Sequence, residues 1–375
     1  MLEGKRFPYQ PDVAFYLRML AGGGAERVIV NLMRDFVQRG VNVDLVLNIV
    51  EGPYLEQVPD SVRIVPLGTP RLLSGLPKLA GYLRRERPTA LFAALHYNAE
   101  IALWAKRLAG AATRVVVSER NTLSIHAQHQ TDNERWSPML ARLFYPWADG
   151  IVAISQGVAR DLSQVTGMPR SRIQVIYNPV ETLAVQQRAR EPLEHPWFAR
   201  GESPVILGVG RLNAQKDFPT LIRAFAQVRA VRPCRLMILG QGPERQTLEA
   251  LIVELGLQDD VAIPGFVSNP YAYMGRAAVF ALSSAWEGFG NVIVEAMAVG
   301  TPVISTNCQS GPAEILDKGK YGALVPVGDS DAMAQAILQV LSGQVNRVDS
   351  AWLEQFSLAT ISQQYLNILG VAAQT

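Results

Sequence analysis

"PVILGVGRLNAQKDFPTLIRAFAQVRAVRPCRLMILG" spans residues 204–240. It starts as an apolar, β-branched run and stops at a glycine turn. It resumes as "FPTLIRAFAQVRAVRP", with apolar residues every three to four positions, and ends in a second apolar run, "RLMILG" (235–240). A short apolar run bounded by turn residues reads as a strand, and the longer period reads as a helix. Two strands joined by a helix pair in parallel. This one stretch predicts a parallel sheet covered by helices, and the rest of the chain repeats it.

Further strands are expected at 13–17, 42–48, 62–67, 90–95, 114–118, 150–155 and 173–177 in the first half. In the second half they are expected at 204–210, 235–240, 260–266, 279–283, 301–306 and 322–327. Several are continuously apolar, as strands covered on both faces are. The pattern lapses over 178–203, where "NPVETLAVQQRAREPLEHPWFARGESP" is rich in Pro, Glu, Arg and Gln and shows no period. The expected organisation is α/β: two Rossmann-like parallel-sheet domains, 1–180 and 204–357, joined by a linker, 181–203. A C-terminal apolar helix within 358–375 follows, and the sequence leaves open whether it returns to the first domain. Ligands of open parallel sheets bind beyond the carboxyl ends of the strands. Two such edges facing each other would form a cleft.

The chain has 375 residues, enough for two cores. Hydrophobic residues at 49% and charged residues at 18% suit a globular protein without membrane spans. "MLEGKRFPYQPD" has no apolar stretch behind its basic residues and does not read as a signal peptide. Two cysteines, Cys234 and Cys308, with no Cys-x-x-Cys pair argue against a disulfide framework and a cysteine zinc site, and fit a cytoplasmic protein. A net charge of +2 is too small to indicate nucleic acid. The charge is uneven: residues 1–185 carry 21 Lys/Arg against 16 Asp/Glu, and the remainder 14 against 17.

Three glycine turns approach the dinucleotide fingerprint and miss it. "GGGAER" has Arg27, "GVGRLN" has Asn213 and "GQGPER" has Arg245 where the third glycine belongs. A nicotinamide enzyme is thereby disfavoured, and no P-loop is present. Gly23 and Gly24 open a helix whose free amides suit an anion, or else make a tight strand-to-helix turn. Arg211 and Lys216 follow a strand, where a fork and a point charge suit a diphosphate, or else are solvated loop charges.

"SSAWEGFGNVIVEAMAVGTPVIST" (283–306) sets Glu287 and Glu295 on either side of a Gly288–Asn291 turn that opens a helix. Helical side chains lean toward the N-terminus, so Glu295 reaches back to the turn. A carboxylate accepts two hydroxyl hydrogen bonds and matches a sugar diol. Alone, Glu295 is also a helix-dipole acid and Glu287 a loop charge. Asp329-Ser330-Asp331 resembles a metal pair but precedes a helix and reads as a cap.

Taken in order, "GGGAER", "GRLNAQKD", "LGQGPER", "GFVSN" and "WEGFGNVIVEAMAVGTPVIST" resemble the family-4 retaining glycosyltransferases of GT-B fold. The resemblance is strongest over 204–340. It implies that Arg211, Lys216 and Glu287 carry catalysis, the cations on the donor diphosphate and Glu287 on the transferred sugar. It implies that Glu295 takes the ribose hydroxyls and that the amides of Phe289, Gly290 and Asn291 touch the sugar or β-phosphate. Gly23 and Gly24 approach the phosphate, and the backbone at Phe266 and Val267 receives the base. Where many relatives carry a His-Asp pair this chain reads "VVVSERNTLS", so His96, Glu119 and Arg120 are taken as acceptor candidates and the general base is left unassigned.

The resemblance further implies no cofactor beyond a nucleotide-diphosphate sugar, with UDP as the base carrier, and no metal. "TNCQSGPAEIL" (306–316) resembles N-acetylhexosamine transferases of bacterial polysaccharide assembly. UDP-GalNAc or UDP-GlcNAc is therefore the expected donor, and a glycan or polyprenyl-diphosphate-linked saccharide the acceptor. "LPKLAGYLRRERP", with Lys78, Arg84, Arg85 and Arg87, and "NERWSPMLARLFYPWADG", with Arg135, Trp136, Arg142, Phe144, Tyr145 and Trp147, read either as a patch for the anionic cytoplasmic face of the inner membrane or as ordinary packing beneath a solvated basic face. The rival readings are a nucleotide-sugar 2-epimerase and a non-catalytic sugar-nucleotide-binding subunit.

Overall fold

The computed structural model describes residues 10–21, 23–129 and 136–373. The chain forms two compact units, one running up to Pro179 and including Leu358 onward, the other Val180–Ser357.

The first unit carries β1 (Val13–Leu17), β2 (Val43–Leu47), β3 (Arg63–Pro66), β4 (Ala90–Ala94), β5 (Arg114–Glu119), β6 (Gly150–Ala153) and β7 (Ile173–Val175). They form one parallel sheet in the order β3-β2-β1-β4-β5-β6-β7. Its helices are α1 (Gly24–Gln38), α2 (Leu72–Glu86), α3 (His96–Ala109), α4 (Leu123–His129), α5 (Ser137–Phe144) and α6 (Gln156–Thr166).

The second unit carries helix α7 (Thr182–Ala189), then β8 (Val205–Val209), α8 (Phe218–Val231), β9 (Arg235–Leu239), α9 (Arg245–Glu254), β10 (Val261–Gly265), α10 (Pro270–Met274), β11 (Val279–Leu282), α11 (Asn291–Ala298), β12 (Val303–Thr306), α12 (Pro312–Ile315), β13 (Ala323–Val325), α13 (Ser330–Leu341) and α14 (Ser350–Glu354). Its sheet is parallel, in the order β10-β9-β8-β11-β12-β13. The final helix, α15 (Leu358–Leu369), belongs to the first unit.

Each strand expected from the sequence is present, trimmed by a residue or two at most ends. The pattern was readable because β1, β2 and β4 are buried along their whole length, with helices on both faces. The edge strand β3 instead alternates half-buried and exposed residues.

The core of the first unit is knit by aromatic edges. Phe15 meets Phe36 at 5.8 Å and Phe92 at 5.4 Å, and Phe92 meets Tyr365 of α15 at 5.3 Å, nearly perpendicular. On α15, Ile361, Tyr365, Leu366 and Leu369 share one face by their three-to-four spacing and are buried in this core.

Residues 181–203, patternless in sequence, are tied into the second unit. Arg188 of α7 donates to the Ser268 carbonyl at 2.6 Å and Gln186 to the Ala298 carbonyl at 2.9 Å. Partners so far along the chain leave no local period to read.

In each sheet the connections leave in opposite directions on either side of one strand pair, β1/β4 in the first and β8/β11 in the second. The carboxyl ends of those pairs are where ligands of such sheets bind.

Candidate functional site

In the second unit, the loops leaving β8 and β11 are stitched to each other. The Ser283 hydroxyl donates to the Lys216 carbonyl at 2.8 Å, the Ala285 amide donates to the Gln215 carbonyl at 2.8 Å, and the Gln215 side chain donates to the Trp286 carbonyl at 3.1 Å. This places Lys216 beside Glu287, and the two form an ion pair. The Ser284 hydroxyl donates to Glu287 Oε1 at 2.7 Å, and Thr306 of β12 in turn donates to the Ser284 carbonyl at 2.6 Å. Glu287 is only 6% exposed. A carboxylate buried this deeply is stable there because it has both a cation and a hydroxyl donor. Arg211 is exposed on the same β8 loop and pairs with no carboxylate among the described residues.

The glycine turns that fail as dinucleotide fingerprints have a packing role. Gly240 has φ +149°, and a side chain there would run into the Gly210 carbonyl; one on Gly242 would meet the Leu212 backbone. The ends of β8 and β9 approach this closely because Gly210 and Leu212 donate to the carbonyls of Leu239 and Gln241 at 3.0 and 2.9 Å.

Asp217, which the sequence reading passed over, sits in the left-handed region at φ +44° and caps α8 by accepting from the Thr220 amide and, at 2.7 Å, from its hydroxyl. It fixes where the Lys216 loop ends. An acid followed by proline at the second helical position was the available signal.

Gly290 caps α11 at φ +102°, a conformation costly for any other residue. Asn291 begins the helix, and the Phe289 ring is buried against Phe356 at 5.7 Å. Glu295 is half-buried one turn in, 3.5 Å from the Tyr271 hydroxyl. Phe266 is exposed and Val267 half-buried, on the loop leaving β10 at this carboxyl edge. The sequence-derived set Arg211, Lys216, Glu287, Phe289, Gly290, Asn291, Glu295, Phe266 and Val267 thus lies at one edge of one sheet. Asp329 caps α13 by accepting the Ala332 amide at 2.8 Å, as the capping reading expected.

In the first unit, Gly23 caps α1 and Gly24 is its first residue; among the described residues, the local helix backbone aside, nothing lies within 4 Å of where a side-chain carbon on Gly24 would sit. Gly22 lies outside the described residues. His96 opens α3, but its side chain also lies outside them. Glu119, an acceptor candidate, is fully buried with both oxygens occupied: Oε1 accepts the Arg120 and Asn121 amides at 2.9 and 3.2 Å, and Oε2 accepts the Tyr145 hydroxyl at 3.0 Å. It shapes the turn after β5. Arg120 is buried beside it and donates to Asn178 at 2.7 Å.

Helices α2, α3 and α5 border an apolar pocket of about 240 Å³ lined by Leu73, Leu76, Glu100, Ile101, Trp104 and Phe144. Burial, with the Glu119 charge adding, pushes the Glu100 carboxyl up to about 8. Burial also pushes Glu119 up to about 7 against the hydrogen bonds that hold it down. The unfolded chain ionises both near the ordinary value of 4.5. Above that pH the unfolded state has released protons that the folded unit still holds, so stability falls as pH rises toward 8 and then levels off. The urea midpoint of this unit is expected to be lower at pH 8 than at pH 5.5, and Glu100→Gln to flatten that slope. A slope unchanged by the substitution would contradict it.

The basic and aromatic segments are sorted by the fold. Tyr145 and Phe144 are buried. Lys78 donates to the Leu67 carbonyl at 2.6 Å, and Arg84 caps the carboxyl end of α3 through the Ala109 carbonyl at 3.1 Å. Arg107 stacks over Trp147 at 3.8 Å, and Arg135 lies outside the described residues. Leu73, Trp104, Leu108, Trp136, Met139 and Leu143 remain exposed. Among the described residues no helix is long and apolar enough to cross a membrane.

Two family models match the chain: one described as "Glycosyltransferase Family 4" over residues 22–182, the other as "Glycosyl transferases group 1" over 190–351. The chain is 32% identical over 340 residues to the N-acetylgalactosamine-N,N'-diacetylbacillosaminyl-diphospho-undecaprenol 4-alpha-N-acetylgalactosaminyltransferase of Campylobacter jejuni, covering 88% of this chain and 90% of the relative. It is 30% identical to the lipopolysaccharide core biosynthesis glycosyltransferase LpsE of Rhizobium meliloti, covering 92% and 96%. Among solved structures, Anabaena HepE in complex with UDP superposes with a TM-score of 0.79 at 22% identity, covering 96% of this chain and 99% of that one, which shows a shared GT-B fold. Transferase relatives matched along nearly their whole length answer the epimerase and binding-subunit alternatives. The chain belongs to the group 1 glycosyltransferases and is an enzyme of that family.

Proposed function

We propose that the chain moves an N-acetylhexosamine or hexose from a UDP-sugar, with retention at the anomeric carbon, to a glycan or polyprenyl-diphosphate-linked saccharide. UDP-GalNAc and UDP-GlcNAc are the first donors to try. The observation that carries the reading is the ion pair of half-buried Lys216 with buried Glu287 at the switch point of the second sheet, on the same carboxyl edge as the exposed Arg211 and the start of α11.

As the bond from the anomeric carbon to the phosphate oxygen breaks, negative charge gathers on the nucleotide and positive charge on the sugar ring. Lys216 has three donors and spends one on Glu287, so it can still meet a phosphate oxygen. Arg211 and the amides of Phe289, Gly290 and Asn291 supply further positive charge, held ready before the bond breaks. Glu287 is assigned to the transferred sugar, Glu295 to the ribose hydroxyls, and the backbone at Phe266 and Val267 to the base. In same-face attack the acceptor oxygen bonds the anomeric carbon and its proton passes to the departing phosphate. The activity named for the Campylobacter relative, transfer of N-acetylgalactosamine to a diphospho-undecaprenol-linked saccharide, supports the sugar and the lipid-diphosphate acceptor.

A donor panel tests this. UDP-GalNAc or UDP-GlcNAc is expected to raise the unfolding midpoint, and GDP- and ADP-sugars at equal concentration to leave it in place. Protection by GDP- or ADP-sugars alone would overturn the choice of base.

The exposed apolar side chains of α2, α3 and α5 support peripheral docking on an anionic membrane, with Leu73, Met139 and Leu143 entering the interface. Liposomes containing anionic lipid are expected to carry the protein upward on flotation, less so at high salt, and a Met139→Ser/Leu143→Ser variant to stay behind. Equal flotation of variant and parent would remove this face from the reading.

A further inference from the structure

We propose that Arg120 is an oxyanion subsite of the first unit, shaped to hold a phosphate group of a diphosphate-bearing substrate. Arg120 directly follows β5, at the carboxyl edge of the sheet, and is 4% exposed. Its Nη1 donates to Asn178 Oδ1 at 2.7 Å, while Nε and Nη2 have no partner among the described residues. Those two nitrogens form one edge of the guanidinium, the edge that grips two oxygens of a phosphate in parallel. The Ser118 hydroxyl, two residues earlier and fully buried, is also without a partner.

A guanidinium stays charged at any working pH. Burying it without a counter-charge is strongly unfavourable. No carboxylate pairs with it among the described residues, and Glu119 has both oxygens committed to the turn amides and Tyr145. Burial also raises Glu119 to about 7, which weakens it as a fixed counter-charge near neutrality. An anion on the Nε–Nη2 edge would compensate the charge and satisfy both donors at once. The inference deepens the acceptor reading above and rests on it only for the source of the phosphate, which is the diphosphate of either the acceptor or the donor.

The test uses the full chain with inorganic pyrophosphate as probe, in a Lys216→Met background, so that the difference between this background and its Arg120 variants reports the first unit while the remaining donors of the second unit are common to both. Pyrophosphate is expected to raise the unfolding midpoint of the Lys216→Met protein, and Arg120→Gln or Arg120→Met to weaken that binding about tenfold or more. Without anion, the Arg120 variants are expected to be as stable as the parent or more so. A purely structural arginine predicts the opposite, a lower midpoint on substitution.

In the Lys216-intact enzyme, Arg120→Gln is expected to raise KM about tenfold for the substrate whose phosphate it holds. A rise for the diphosphate-linked acceptor alone identifies the acceptor, and a rise for the UDP-sugar alone identifies the donor. Loss of pyrophosphate binding in an enzyme that ignores every diphosphate-linked acceptor would keep the subsite and remove the acceptor reading. Unchanged pyrophosphate binding in the Arg120 variants, equal protection by chloride at matched ionic strength, or destabilisation of the anion-free variants would each overturn the proposal.

Discussion

Lys216→Met is expected to lower kcat/KM for the nucleotide-sugar donor by about 10²–10³-fold. That is the typical loss when one preplaced donor to a developing negative charge is removed. The same substitution leaves the Glu287 carboxylate buried without its cation. Breaking such a pair from one side costs roughly 3–5 kcal/mol. Loss of activity alone would therefore not separate chemistry from folding. The double variant Lys216→Met/Glu287→Gln removes both charges, and is expected to recover most of the stability while turnover stays low. Near-parental turnover in the double variant would make Lys216 a structural residue and remove it from the diphosphate.

Tyr365→Ala is expected to destabilise the first unit by about 3–5 kcal/mol, the usual cost of deleting a large buried aromatic ring. Tyr365 lies beyond the second unit in sequence yet packs edge-on against Phe92 at 5.3 Å in the centre of the first core. A lower unfolding midpoint is the expected reading. Tyr365→Phe is expected to be neutral or to stabilise by up to about 1 kcal/mol, because the hydroxyl is buried with no partner among the described residues. A Phe variant as damaged as the Ala variant would mean that the hydroxyl, and not the ring, holds α15 in place.

Much of the carboxyl edge of the second sheet was legible in the sequence. Arg211, Lys216, Glu287 and Glu295 occur in short motifs following apolar strands, and a parallel sheet places strand ends on one edge by construction. The seven-residue spacing of Glu287 and Glu295 is local, so its consequence, a turn and one helical turn, is local too. Asp217 could be read as a cap from the proline that follows two residues on, but not as a residue in the left-handed region, which its contacts with Thr220 fix. Glu119 and Arg120 could be named but not told apart. Their spacing does not reveal that one carboxylate is used up by its own turn while the neighbouring guanidinium keeps two nitrogens unbonded.

By itself the sequence determined the strands, the two parallel sheets, the motifs on the loops and the family. Each rests on apolar periodicity or on contiguous residues, and both are properties of neighbours along the chain. Only tertiary structure decided that Leu358–Leu369 completes the first core, that Lys216 is held against Glu287 by the β8 and β11 loops, and that Arg120 is buried with no counter-ion among the described residues. Each of those depends on groups brought together from distant parts of the chain. Burial and pairing belong to the folded volume, and no local pattern encodes which partner will occupy it.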